Sequence, residues 1–182
     1  MVIALAIIVL ILAGVLALAA LKPDQIRVER TVHVDADPAT LFALVDDFHH
    51  WSEWAPQDRS DPKMQRSYSG AASGVGAISE WASTGSAGKG RMQITAAVPA
   101  SRISVRVDFE KPFAAHNINE FLFLPEGGGT RVTWIMRGTN VYMAKIMSVF
   151  VNMDRMMGAH FEAGLRDLKA AAESGATTVM RG

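Results

Sequence analysis

His160 lies on the apolar side of a long periodic stretch near the end of the chain. An imidazole in such a place can orient a polar head group or exchange a proton, or it can be a satisfied, half-buried ring. Arg30 shares the parity of Val28, Val32 and Val34. In a strand of unbroken register its charge therefore points the same way as those valines. Glu80, Glu120 and Asn117 are further candidates for polar groups turned inward. Such groups either hold the polar end of a bound molecule or face water from a bulged strand, and both readings stay open. An acid–base enzyme would have to draw first on His160, Arg30 and Glu80.

Other chemistries lack their residues. His49-His50 beside Asp46 and Asp47 offers metal-type donors, yet the order lacks the i, i+4 histidine pair of a zinc helix. We read that cluster as a solvated helix end and expect no metal and no cofactor. Gly74-Val75-Gly76 and Gly88-Lys89-Gly90 lack phosphate-loop spacing and a following helix, so they read as hairpin turns or bulges. No GxSxG elbow or HExxH helix occurs. The chain has no cysteine, which removes disulfides, thiolate metal sites and a cysteine nucleophile. Its 18 basic and 18 acidic side chains balance, so no basic surplus points to nucleic acid.

The apolar supply is larger. Tryptophans and phenylalanines dominate ordinary cores, but they also form walls for flat or long apolar ligands. Methionine is flexible and polarizable, which suits a wall that adapts to its ligand as well as a gap-filling core. The residues expected to line a cavity are Trp51, Trp54, Trp81, Phe109, Phe113, Phe121, Trp134, Met153, Met157, His160 and Phe161.

The elements that must position them follow from periodicity. Residues 26–34 mix Val and Ile with charged residues in near-alternation, as a half-buried strand does. Asp37-Pro38 is a helix start, and Leu41, Leu44, Val45 and Phe48 hold helical spacing. Six further strands are expected over 64–68, 77–83, 90–98, 102–110, 116–124 and 130–138, separated by turn residues. The clearest is the fourth, where Ile103, Val105, Val107 and Phe109 alternate with Arg102, Ser104, Arg106 and Asp108. Met153, Met156, Met157, His160, Phe161, Gly164, Leu165 and Leu168 then form the apolar stripe of a long helix. The fold class is α+β: a curved antiparallel sheet that buries its inner face against a long C-terminal helix, leaving a cavity where the wrap is loose.

Residues 1–21 carry no charge. A helix of that length spans about 31 Å, enough for a bilayer core. We read it as a transmembrane helix; a cleaved signal peptide competes, with Ala17-Leu18-Ala19 as the processing site, but no basic residue precedes the apolar run. Lys22, Arg27 and Arg30 follow it, so the positive-inside rule favours a cytoplasmic globular domain. The organisation is thus a membrane helix (1–21), a linker (22–24), one domain (25–173) and a flexible tail (174–182).

The strand entering Val34-Asp35-Ala36-Asp37-Pro38-Ala39-Thr40-Leu41-Phe42 and the helix exit Val45-Asp46-Asp47-Phe48-His49-His50-Trp51-Ser52-Glu53-Trp54 carry a resemblance. So do Tyr68-Ser69-Gly70, Gly74-Val75-Gly76-Ala77, Trp81, Gly88-Lys89-Gly90 and the ending Phe161 to Lys169. Over roughly 25–173 the chain resembles the START-like SRPBCC superfamily, in particular its polyketide cyclase/dehydrase branch. That resemblance implies a helix-grip fold and a small hydrophobic ligand, lipid- or polyketide-like, in an apolar cavity. It does not imply a reaction, since similar members are carriers as well as enzymes. The expected function is a membrane-anchored binding or carrier protein; the alternative is a cyclase- or dehydratase-type enzyme using the same cavity.

Overall fold

The chain between the first and second strands has to cross the whole sheet, and that crossing builds one end of the core. In the computed structural model, which describes residues 2–56, 61, 63–85, 87–111 and 114–179, seven strands form one antiparallel sheet. They are β1 (Gln25–Val34), β2 (Gln65–Gly70), β3 (Ala77–Ala82), β4 (Lys89–Val98), β5 (Arg102–Lys111), β6 (Ala115–Glu126) and β7 (Gly129–Thr139). The spatial order is β1-β7-β6-β5-β4-β3-β2, so the first two strands occupy opposite edges. Strands β2 to β7 are a meander of hairpins. The inward parity follows the sequence: Ile103, Val105 and Val107 are buried, and Arg102 and Arg106 face water. Register shifts between Lys89 and Gly90 and between Ile94 and Ala96 mark irregularities in the β4–β5 pairing, the kind of defect that bends a sheet.

The crossing segment folds as helix α2 (Pro38–Asp46), a short 3-10 turn (Phe48–His50) and helix α3 (Trp51–Trp54). Asp37 caps α2, its carboxylate accepting from the backbone N–H groups of Ala39 and Thr40, each at 2.9 Å. Those bonds, Thr40's above all, hold its pKa below the usual carboxylate value. Beyond the sheet come α4 (Tyr142–Phe150) and α5 (Met153–Val179). Helix α5 crosses the concave face and buries Phe161, Leu165, Leu168 and Ala172. It runs past Ser174, where a frayed tail was expected; no proline interrupts it and Gly175 does not stop it.

Arg30 does turn toward the helix side, but not into a cavity. It sits on edge strand β1, where its guanidinium donates to Glu162 at 2.7 Å and to Asp154 at 3.1 Å. The helix makes room for it with Gly158, whose absent Cβ would lie 1.8 Å from the guanidinium. The parity argument holds; it could not say where along the helix the strand passes.

Helix α1 (Val2–Ala20) is long and apolar enough to cross a membrane. It stands beside α4, held by contacts at its C-terminal end. Tyr142 donates to the Leu16 carbonyl at 3.1 Å, and Asn140 bonds to the carbonyls of Pro23 and Asp24. Lys145 pairs with Asp24, whose carboxyl is held below its ordinary pKa chiefly by that hydrogen bond.

Candidate functional site: a cavity under the long helix

The strand register divides the concave face into two ends. At one, Gln25 pairs with Thr139, Gly138 with Asn117, Asn117 with Val107, Gly90 with Phe109, and Trp81 with Gly90. At the other, Val34 pairs with Thr130 and Ile103 with Phe121. The first end leaves space. A cavity of about 460 Å³ lies there between the sheet and the first turns of α5. That volume falls within the range of small-molecule sites, about 300–1,000 Å³.

Its wall is mostly apolar. Trp81 and Phe109 meet edge to face at 5.4 Å between centroids, with Met92, Val107 and Met136 beside them. The Trp81 ring lies against Gly90, where a Cβ would fall 2.4 Å from the indole, so that glycine decides where the ring can go. Trp134 stacks on Phe161 of the helix with centroids 4.1 Å apart and planes 5° from parallel. Met156, Met157 and His160 close the helix side. Met156 and His160 also reach solvent, so the cavity opens at the start of α5.

The polar groups in the wall are basic or neutral: Arg66, Lys111, Asn117, Asn119 and His160, with no carboxylate among the described lining residues. Arg66 donates to the Ser79 hydroxyl at 2.9 Å. The Asn119 carbonyl oxygen and the Trp134 indole N–H are buried with no hydrogen-bond partner among the described residues. Buried polar groups left so are uncommon, and here both belong to wall residues. At His160 the surrounding protein bulk disfavours the charged ring and lowers its pKa, even though the residue keeps contact with solvent.

A family model for polyketide cyclase/dehydrase and lipid transport proteins matches residues 25–173. The chain belongs to this family. The solved structures agree on the fold. The di-domain ARO/CYC StfQ from the steffimycin biosynthetic pathway superposes with a TM-score of 0.65 at 14% identity, over 84% of this chain and 52% of that one. A protein from Nitrosospira multiformis gives 0.59 at 19% identity, and one from Chromobacterium violaceum 0.58 at 17%; each match covers 84% of this chain and 99% of the other. Among the curated proteins none matches. At these identities the likeness speaks to the helix-grip fold alone.

Within this polyketide cyclase-type domain the expected lining residues separate. Trp51, Trp81, Phe109, Trp134, Met157, His160 and Phe161 border the cavity. Trp54 and Phe121 do not. They are fully buried in the packed end, their rings 5.9 Å apart and edge to face. Met153 is half-buried in the first turn of α5, one turn before the lining begins. Phe113 lies outside the described residues.

Of the inward polar candidates, Asn117 lines the cavity. Glu80 is exposed on the other parity of β3, and Glu120 faces outward to pair with Arg137. His160, Arg30 and Glu80 are therefore not brought together. His49 pairs with Asp47 at 2.7 Å and packs on Tyr68, and His50 bonds to the Ala43 carbonyl. No group of three or more described His, Asp or Glu side chains is placed to hold a metal. Sequence reasoning missed Arg66, Lys111, Asn119, Met92 and Met136 as wall residues. The parity of β5 and β6 could have found Lys111 and Asn119, which continue the inward sets of Val107 and Phe109 and of Phe121.

Proposed function

We propose that this family member is a membrane-anchored binding or carrier protein for a small, largely apolar molecule, lipid- or polyketide-like, held between the sheet and α5. One observation carries the proposal: a cavity of about 460 Å³ with a mostly apolar wall, open at one end. The polar groups would orient a ligand's polar end, with Asn119 and Trp134 offering an acceptor and a donor. The anchor is α1, with the domain on the cytoplasmic side that Lys22, Arg27 and Arg30 favour. Its contacts support retention over cleavage: removing residues 1–19 would take away the carbonyl that Tyr142 bonds and the buried Ala19.

A cyclase-type reaction would need an acid–base pair within hydrogen-bond reach of the substrate. Of the candidates only His160 borders the cavity, so binding without turnover is the better-supported reading. Native mass spectrometry of the full chain released from a mild detergent tests it. The expected result is an added mass, extractable as an amphiphile. A chain that carries no added mass, and takes up none when offered fatty acids or phospholipids, would overturn the proposal.

A further inference from the structure

Helix α4 is built inside out for a protein in water. Its sequence, Tyr142-Met143-Ala144-Lys145-Ile146-Met147-Ser148-Val149-Phe150, is amphipathic, and a soluble helix would turn Met and Phe inward. Here Lys145 is turned in, at 7% exposure, while Met147 and Phe150 are turned out, at 47% and 73%. Met143 and Met147 are one turn apart and Phe150 follows on the same side, so they form a continuous outward stripe. Val151 and Met156, which follow through the turn into α5, are exposed as well.

Its place in the molecule says what covers the stripe. Tyr142 bonds to the carbonyl of Leu16, four residues before the end of α1, and so about 6 Å below that end along the helix axis. If α1 spans a bilayer, the start of α4 sits at the depth of the headgroups, where tyrosine is favoured. The cavity is at that same end of the sheet. Gln25, the first residue after the linker, pairs with Thr139, and Asn117 of the cavity wall pairs with Gly138 beside it. Met156, six residues after the last residue of α4, is exposed and also borders the cavity.

We infer that α4 is a second membrane contact, lying in the headgroup region beside α1 and setting the mouth of the cavity against the bilayer. The occupant of the apolar stripe is lipid. The cavity then exchanges its contents with the membrane through the start of α5, with Met156 at the threshold, rather than through water. The polar side of α4 carries one cation, Lys145, and it is turned to Asp24. Apolar burial thus holds the helix down, and neutral lipid suffices.

The inference rests on α1 being a membrane span, and the test separates the two. The chain has no cysteine, so single-cysteine variants can be labelled cleanly with an environment-sensitive dye. The variants are Leu10→Cys in α1, Met147→Cys and Phe150→Cys in α4, and Leu124→Cys, exposed at the far end of the sheet. Each full chain is reconstituted into phosphatidylcholine vesicles containing lipid spin-labelled either near the headgroup or deep in the acyl chain. The deep label should quench Leu10→Cys, the shallow label should quench both α4 positions at least about twofold, and Leu124→Cys should be unaffected. If Leu10→Cys is quenched while both α4 positions behave like Leu124→Cys, α4 docking is overturned and the anchor stands. If Leu10→Cys is not quenched, the anchor fails and the docking with it. A second measurement bears on exchange: Met147→Ser with Phe150→Ser should slow loading of a fluorescent fatty acid from vesicles but not from detergent. Equal loading from both sources would overturn the membrane-facing mouth.

Discussion

The two ends of the concave face share one sheet and one helix, yet one is solid and the other hollow. At the packed end α2, the 3-10 turn and α3 fill the space, burying Leu41, Val45, Phe48 and Trp54 against Ile94, Ile103, Phe121 and Leu165. At the hollow end, among the described residues of these helices, only Trp51 of α3 reaches the wall, and Trp81, Phe109, Val107 and Met136 face the start of α5 across a gap. The difference lies in the connection, because the described helices of the segment that runs from one sheet edge to the other pack mainly at one end. The packed end supplies cohesion, and the hollow end is thereby spared from having to supply it.

The largest test of this contrast is Trp54→Ala against Phe109→Ala. The first removes a fully buried ring and should cost about 3–5 kcal/mol in urea unfolding. The second trims a half-buried ring at a wall that already borders space, and should cost about 2 kcal/mol or less. Equal losses would erase the distinction between the ends.

Next is Val107→Phe, which adds bulk to the cavity floor. Affinity for a displaceable fluorescent apolar probe should fall about tenfold, or ~1.4 kcal/mol, while stability holds or rises by about 1 kcal/mol. Unchanged binding would mean that the probe sits elsewhere.

The smallest effect is the pH response of His160. Burial places its folded-state pKa below the ordinary 6.5, so the unfolded chain takes up the proton first as pH falls. Stability drawn from the neutral ring is intact above that value and declines below it. Thermal unfolding midpoints of the parent chain should therefore drop between pH 6.5 and pH 5.5 by more than those of His160→Gln. Parallel curves would remove His160 from the account.

Much of this was legible before any coordinates. Ile103 to Phe109 alternate so regularly that only a strand with one dry face fits, and the stripe from Met153 to Leu168 admits only a long helix over it. Asp37-Pro38 marks the start of α2 by local chemistry alone. The site was less legible because a cavity is defined by what does not fill it. Nothing in Trp54 or Phe121 distinguishes them locally from Trp81 or Phe109; the difference is where α2 and α3 come to rest. Met153 shares helical phase with Met157, but phase says nothing about where a helix first passes over the gap. Arg66 escaped because its strand is short and polar, so parity carried no signal there. For Arg30 a clue did exist: Gly158, a glycine inside a helix and beside its apolar stripe, marks where a long side chain passes.

The pairing of Lys145 with Asp24 also governs how the domain can be handled. A domain cut loose at Gln25 keeps an ammonium packed for a neighbour that has gone, beside a helix whose outer side is already greasy. Both faces of α4 would then seek cover from water at once. Self-association of such a fragment would report a severed junction rather than a misfolded sheet, and restoring residues 1–24 in a detergent micelle should return it to single particles.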